Sequence, residues 1–221
     1  MIRAAFNNAF YRRDDGFYDN GTQTACVLPL AFGLVSEGES GRVARRLIEQ
    51  IEGPARGHIA TGLVGGQFLH RTLAAVGRPD LALAIATHRD YPSLGYMVEK
   101  GATTVWELWN GDTADPAMNS GNHVMLTGDL LEWMYADLAG IEPGDDGGGF
   151  RTIRMQPRFV KGLDFVEAAY DSPYGRIESR WRREEGRIRW EVVVPANAEA
   201  EAVLPGEPAV RLQSGRHLLE R

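Results

Sequence analysis

Along the first part of the chain apolar residues recur every three or four positions, whereas beyond about residue 150 they alternate. The first rhythm belongs to amphipathic helices and the second to half-buried strands. Residues 2–10 read as an amphipathic helix, and Thr22–Val35 as an apolar one interrupted by Pro29. Gly41–Glu52 reads as a helix with Val43, Leu47, Ile48 and Ile51 on one side, stopped by Gly53-Pro54. Val64–Val76 repeats the pattern through Phe68, Leu69, Leu73 and Val76, with Gly77 at a C-terminal cap position. Pro79, in a first turn, opens a further helix to His88. Tyr11–Gly21, with Asp14, Asp15 and Asp19, reads as a polar turn. Residues 89–118, rich in aromatics and turn residues, are expected to be a long irregular loop, a kind of segment that in compact domains is usually functional or disordered. Aromatic content argues against disorder. A last long helix is expected over Asn119–Leu138, facing inward through His123, Leu126, Leu130 and Trp133 and closed by Gly140.

Glu142–Gly149, with the sequence EPGDDGGG, reads as a flexible boundary. After it, Arg151–Gln156, Asp164–Tyr170, Arg176–Arg183, Arg187–Val194 and Glu201–Leu204 read as strands separated by turn clusters. Helices followed by strands give an α+β class. The expected organisation is a helical domain over 1–141 and a strand domain over 150–221.

Composition narrows the function. The 221 residues are 43% hydrophobic and carry a net charge of −6. A chain of this size and composition can bury a sizeable core, and no basic stripe is present to meet nucleic-acid phosphates. No stretch is apolar for long enough to span a membrane. A single cysteine, Cys26, excludes an internal disulfide framework and is expected to be inert core. With no basic, apolar leader after Met1, the cytosol is the default expectation. His58, His70, His88, His123 and His217 are scattered, so neither a metal site nor a cofactor is expected. The Asp14/Asp15/Asp19 loop lacks the ligand spacing of an EF-hand and reads as a solvated turn. Gly62, Gly65 and Gly66, ahead of a helix, read as tight packing at a helix entry.

One constellation stands out: Trp106-Glu107-Leu108-Trp109, followed by Asn119, Asn122 and His123. A carboxyl between two indoles is disfavoured in its charged form and so suited to proton transfer. On a helix, Asn119, Asn122 and His123 would share one face. Amides, an imidazole and flat rings suit a polyhydroxylated ligand. On these residues alone a second reading is equally open: Trp106 and Trp109 as core, Glu107 paired with an arginine and Asn119 as a helix cap.

At these residues the chain resembles a family. Ordered blocks match the C-terminal part of bacterial α-L-rhamnosidases, glycoside hydrolase family 78. The blocks are Thr22–Ala25 with Leu28–Val35, His58–Gly62 with Phe68-Leu69, Tyr91–Met97, Gly101–Glu107, Met118–His123, Ser172–Gly175 and Val194–Asn197. The resemblance implies part of an (α/α)6 toroid followed by a small antiparallel β-sandwich. It implies inverting hydrolysis of terminal, non-reducing α-L-rhamnose, for which one carboxyl protonates the leaving oxygen and another activates a water on the opposite face. It assigns the general base to Glu107 and sugar binding to His123, with Trp106, Tyr96 and Asn119 lining the site. The implied ligand is a rhamnose-containing glycoside or oligosaccharide.

The resemblance also implies a general acid in an upstream Asp-x-x-x-Arg-x-Glu segment, which this sequence lacks. The helices number about half those of a full toroid. The chain is therefore expected to correspond to the second half of the barrel plus the sandwich, and to pair with a complementary N-terminal half or with a second copy. Gly66-Gln67 stands where the family has Thr-Pro, and Gly121 where it has an aromatic. A carbohydrate-binding or structural fragment without catalysis is the alternative.

Overall fold

A computed structural model describes residues 2–145 and 148–221. Met1, and Asp146 and Gly147 within the expected boundary segment Glu142–Gly149, lie outside the described residues. The chain divides into two compact units, one running to Leu130 and one from Leu131 to Arg221.

The first unit is helical. It contains α1 (Ile2–Phe10), α2 (Gln23–Ala31), α3 (Ser40–Glu52), α4 (Leu63–Gly66), α5 (Leu69–Ala75), α6 (Pro79–Thr87) and α7 (Leu94–Glu99). Helix α2 starts where Thr22 caps it, the hydroxyl accepting from the Ala25 N–H at 3.3 Å. Pro29 lies inside α2 and has no N–H to give the preceding turn, and Gly33 at φ +60° turns the chain away soon after. Val43, Ala44, Leu47 and Ile51 make one buried stripe on α3, which packs on α2 with its buried Cys26 and Val27.

Three segments differ from the sequence expectation. The polar turn Tyr11–Gly21 holds a small antiparallel pair, β1 (Tyr11–Arg12) and β2 (Phe17–Tyr18). Tyr18 is buried there and its hydroxyl donates to Asn7 Oδ1 at 2.6 Å, while Asp14, Asp15 and Asp19 stay in solvent. The Val64–Val76 helix is broken into α4 and α5 at Gln67-Phe68. A Cβ on Gly65 would stand 2.4 Å from the Thr24 Oγ1, so glycine there lets α4 lie against α2. The long helix expected over Asn119–Leu138 is shortened and irregular, helical only from Val124. Asn119–His123 is irregular, a 3₁₀ turn covers Val124–Thr127, α8 spans Gly128–Trp133 and a π-helical turn spans Met134–Leu138. Gly121, Gly128 and the β-branched Val124 and Thr127 weaken a helix here. The His123 N–H is also committed to the Val105 carbonyl, far back in the chain. Of the expected inward face, Trp133 is buried, whereas His123, Leu126 and Leu130 are only partly covered.

The second unit carries β3 (Ile141–Pro143), β4 (Thr152–Met155), β5 (Phe165–Ser172), β6 (Gly175–Glu184), β7 (Arg187–Val194), β8 (Glu199–Ala202), β9 (Val210–Leu212) and β10 (Gly215–Glu220). They form two four-stranded sheets, ordered β10-β7-β6-β5 and β3-β4-β8-β9. Neighbours are antiparallel except β4 with β8. Alternate residues of β6 and β7 point inward, Ile177, Ser179 and Trp181 on one and Ile188, Trp190, Val192 and Val194 on the other. They share one core with Ile141, Ile153 and Met155 of the second sheet. The core's polar atoms are paired: Trp181 Nε1 donates to Leu138 O at 2.8 Å, and Trp190 Nε1 to Ser179 Oγ at 2.9 Å. Ser179 in turn donates to Ala139 O at 2.6 Å. Strands β3, β9 and β10 go beyond the sequence expectation. The first two are only three residues long, and β3 ends in a proline of the kind edge strands tolerate. The α+β class stands, helices first and strands after. No described helix is long and apolar enough to cross a membrane.

Candidate active site

The aromatic loop is organised by a short antiparallel pairing. Glu107 N–H donates to Ser120 O at 2.9 Å, and His123 N–H to Val105 O at 2.6 Å. Thr104 Oγ1 donates to Asn122 Oδ1 at 2.9 Å on the same ladder. The intervening residues fold back as a compact loop whose ends meet. Inside it the backbone is turned by Asn110, whose carbonyl accepts from the Thr113 and Ala114 N–H groups at 2.9 Å.

This pairing brings Glu107 and His123 together. Glu107 Oε2 accepts the Ser120 N–H at 3.1 Å and stands 3.9 Å from His123 Nδ1. The carboxylate is thus oriented by a backbone donor and faces an imidazole. Its side chain is 44% exposed. The apolar enclosure expected from the flanking indoles is therefore not met within this chain, since Trp106 and Trp109 are themselves only partly covered.

The other expected residues sit around the same loop. Asn119 is not on a helix with Asn122 and His123. Its Oδ1 accepts the Leu108 N–H at 3.0 Å, so it closes the loop beside Glu107. Trp106 lays its ring on the Gly111 backbone, where a Cβ would come within 2.6 Å of the indole. Tyr96 lies on α7, which starts where the Ser93 hydroxyl accepts the Tyr96 N–H at 2.9 Å. The Tyr96 hydroxyl donates to both Asp112 oxygens, at 2.9 and 3.0 Å, tying α7 to the loop. Lost solvation, then the Asp112 acceptor, hold this phenol above its ordinary range. Lys100 closes the corner, 3.8 Å from Asp112 and 5.5 Å from the Tyr96 ring centroid.

Three groups that spacing did not single out also matter. Asp112 and Ser120 have no distinguishing sequence signal. Asp129, at the start of α8, is 2% exposed and accepts from His70 N at 2.7 Å, His70 Nδ1 at 2.8 Å and Arg71 Nε at 3.0 Å. Burial pushes its carboxyl up, but the His70 and Arg71 donors outweigh this and hold it below the ordinary carboxylate range. It fixes the segment just after His123 to α5. Among the described residues, His58, His88 and Asp90 form the one cluster of metal-ligand type, although their sequence separation concealed it. An open cleft of about 480 Å³ on the second unit, lined among others by Arg154, Glu199, Glu201 and Arg211, contains none of the expected site residues.

Comparison with known proteins agrees with the residue blocks. A model of the bacterial α-L-rhamnosidase six-hairpin glycosidase domain matches residues 1–138, and one of the bacterial α-L-rhamnosidase C-terminal domain matches residues 140–218. An α-L-rhamnosidase of Streptomyces avermitilis is 36% identical over 217 residues, covering 96% of this chain and 21% of the relative. One from Formosa agariphila is 34% identical over 217 residues, covering 96% of this chain and 23% of the relative. The crystal structure of Streptomyces avermitilis α-L-rhamnosidase complexed with L-rhamnose superposes with a TM-score of 0.91 at 32% identity, over 100% of this chain and 23% of that one. The α-L-rhamnosidase from Dictyoglumus thermophilum gives 0.89 at 30% identity, over 99% of this chain and 27% of that one. The chain thus spans about a fifth to a quarter of the length of these relatives. The helical part is a portion of the six-hairpin glycosidase fold, and the sheets correspond to its C-terminal domain.

Proposed function

The chain belongs to the bacterial α-L-rhamnosidase family, and from that premise we propose that it is the base-carrying C-terminal part of an inverting glycoside hydrolase for terminal α-L-rhamnose. The observation that carries this reading is the ladder between residues 104–107 and 120–123, which holds Glu107 and His123 on one side of one loop. Inversion needs a carboxylate to take a proton from water as that water attacks the anomeric carbon. Glu107 is suited to this: one oxygen is fixed by the Ser120 N–H, and the side chain is open to water. His123 beside it supplies a hydrogen-bonding group for a sugar hydroxyl. Trp106 and Tyr96 offer flat faces for the apolar side of the sugar, and Asn119 holds the loop that carries them.

The acid that protonates the leaving oxygen is assigned to no residue of this chain. A complementary N-terminal half, or a second copy, is the partner this reading requires. Exposed Phe32 on the end of α2 and Val64 on α4, 59% and 58% accessible, are suited to be covered by such a partner. We assign the sandwich to 150–221 together with β3 (Ile141–Pro143), which pairs with β4, so the toroid part expected over 1–141 stops short of Ile141. The single buried cysteine fits a cytosolic setting.

A second reading, sugar binding without turnover, is favoured by the exposure of Glu107. Rhamnose release from a rhamnosyl flavonoid glycoside separates the two. If Glu107 is the base, Glu107→Gln in the active assembly lowers turnover by at least about 10²-fold and leaves rhamnose binding intact. Unchanged turnover removes Glu107 from the mechanism. Rhamnose binding by the chain with no release under any pairing supports the binding reading.

A further inference from the structure

Three segments converge away from Glu107. His58 ends the connection after α3, with its backbone held by the buried Gln23 amide, whose Nε2 donates to His58 O at 3.1 Å and whose Oε1 accepts the Ala60 N–H at 2.9 Å. His88 terminates α6, and Asp90 follows it. The two imidazoles stack with centroids 4.2 Å apart and planes 26° from parallel.

Each ring already has one nitrogen engaged. His58 Nδ1 lies 3.3 Å from Pro92 O, and His88 Nε2 lies 3.1 Å from Gly57 O. A carbonyl only accepts, so these contacts fix the protons on Nδ1 of His58 and Nε2 of His88. The remaining nitrogens, His58 Nε2 and His88 Nδ1, then carry lone pairs. They face Asp90 Oδ2 and Oδ1 at 3.3 and 3.4 Å. Neutral rings thus leave three acceptors converging with no donor among them. A single divalent cation satisfies all three acceptors at once.

We propose that His58, His88 and Asp90 bind one divalent transition-metal ion, with zinc the ion their chemistry fits best. Imidazole and carboxylate are zinc ligands, and at about 2.0–2.2 Å from the metal tetrahedral ligand atoms stand about 3.4 Å apart. The His–Asp separations already match that spacing, and all three ligand atoms lie within 4.8 Å of one another. Backbone carbonyls on the far ring nitrogens are the outer contacts that orient metal-binding histidines. Water takes the fourth position, since the Asp90 side chain is 73% exposed. The ion cross-links the connection after α3 to the entry of α7, and so braces the helix that carries Tyr96. This site is independent of the assignment of Glu107.

The test is calorimetric titration of EDTA-stripped chain with Zn²⁺ alone, repeated with Co²⁺ and followed by visible absorption. Saturation at one ion per chain is expected, with the d–d bands of tetrahedral Co²⁺. Asp90→Asn and His88→Gln should each weaken Zn²⁺ by more than about tenfold, the lower bound for losing even an outer contact. His217→Gln, at a half-buried histidine of β10, should leave the affinity unchanged. Asp90 is exposed enough that its variant tests the site even if His88→Gln does not fold. No saturable binding, or equal affinity in wild type and Asp90→Asn, overturns the proposal.

Discussion

Asp129→Asn tests the buried contact that fixes the segment following His123. The substitution keeps the shape and one acceptor oxygen but removes the charge and the second acceptor. Three donors, two from His70 and one from Arg71, now meet that carboxylate at 2.7–3.0 Å. Hydrogen bonds to a charged group contribute about 1.5–3 kcal/mol each, and breaking a buried ion pair costs about 3–5 kcal/mol. Arg71 is 31% exposed and keeps access to water, which lowers the loss. A destabilisation of about 3 kcal/mol is expected. At about 2–4 °C per kcal/mol for a chain of this size, Tm falls by about 6–12 °C at pH 7. The pH dependence gives a second readout. Asp129 is held below its unfolded value, so its contribution is complete above the ordinary carboxylate range and is lost as pH falls through the folded value. The gap between wild type and variant should therefore close as pH drops below about 4. Thermal melts followed by circular dichroism at pH 7, 4 and 3 measure both. A drop under about 2 °C at pH 7, or a gap that widens on acidification, would refute the reasoning.

Ser179→Ala in the sandwich removes the acceptor of Trp190 Nε1 and the donor to Ala139 O, both in a fully buried setting. At about 1–3 kcal/mol per stranded group, the two groups cost about 2–6 kcal/mol. Urea unfolding followed by tryptophan fluorescence should show a midpoint lowered by about 1–3 M, while exposed Ser214→Ala leaves it in place. Cys26 is fully buried, and burial pushes its thiol up to about 11. Thiolate attack on a disulfide reagent at pH 8 should be at least about 10²-fold slower in the native chain than in urea; rapid native labelling would contradict this.

The period of the apolar residues is enough to read α3, α6 and the strands β5 to β7, because each buries one face and repeats it for several residues. The same rule overreaches at Asn119–His123, ahead of the helical turns that carry Leu126, Leu130 and Trp133, because the backbone of Glu107 and His123 is already hydrogen-bonded across the loop. A local pattern does not register a partner so distant in sequence. Tyr11 and Tyr18 are hidden for a related reason, since the polar residues between them advertise a turn and not the two-residue strands that flank it. The candidate site is legible as blocks of residues, and Glu107 and His123 do meet. The manner of their meeting is not legible. Asn119 belongs to the loop closure, Asp112 ties in Tyr96, and Asp129 anchors the chain beyond His123 to α5. Each depends on a contact between segments that carry no mutual signal in the sequence. His58, His88 and Asp90 look scattered along the chain for the same reason.

The ladder that joins residues 104–107 to 120–123 turns the span between them into an exchangeable cassette. Its ends are pinned by backbone bonds, so residues 113–118, beyond the Gly111 that carries the Trp106 ring and the Asp112 that holds Tyr96, can be shortened, lengthened or rewritten without moving Glu107 relative to His123. Closing a longer flexible loop costs only about 0.6 kcal/mol per doubling of its length. Variation among descendants of this fold can therefore accumulate in that span at little cost to folding, and there alter what the loop touches while its two anchoring residues stay in register.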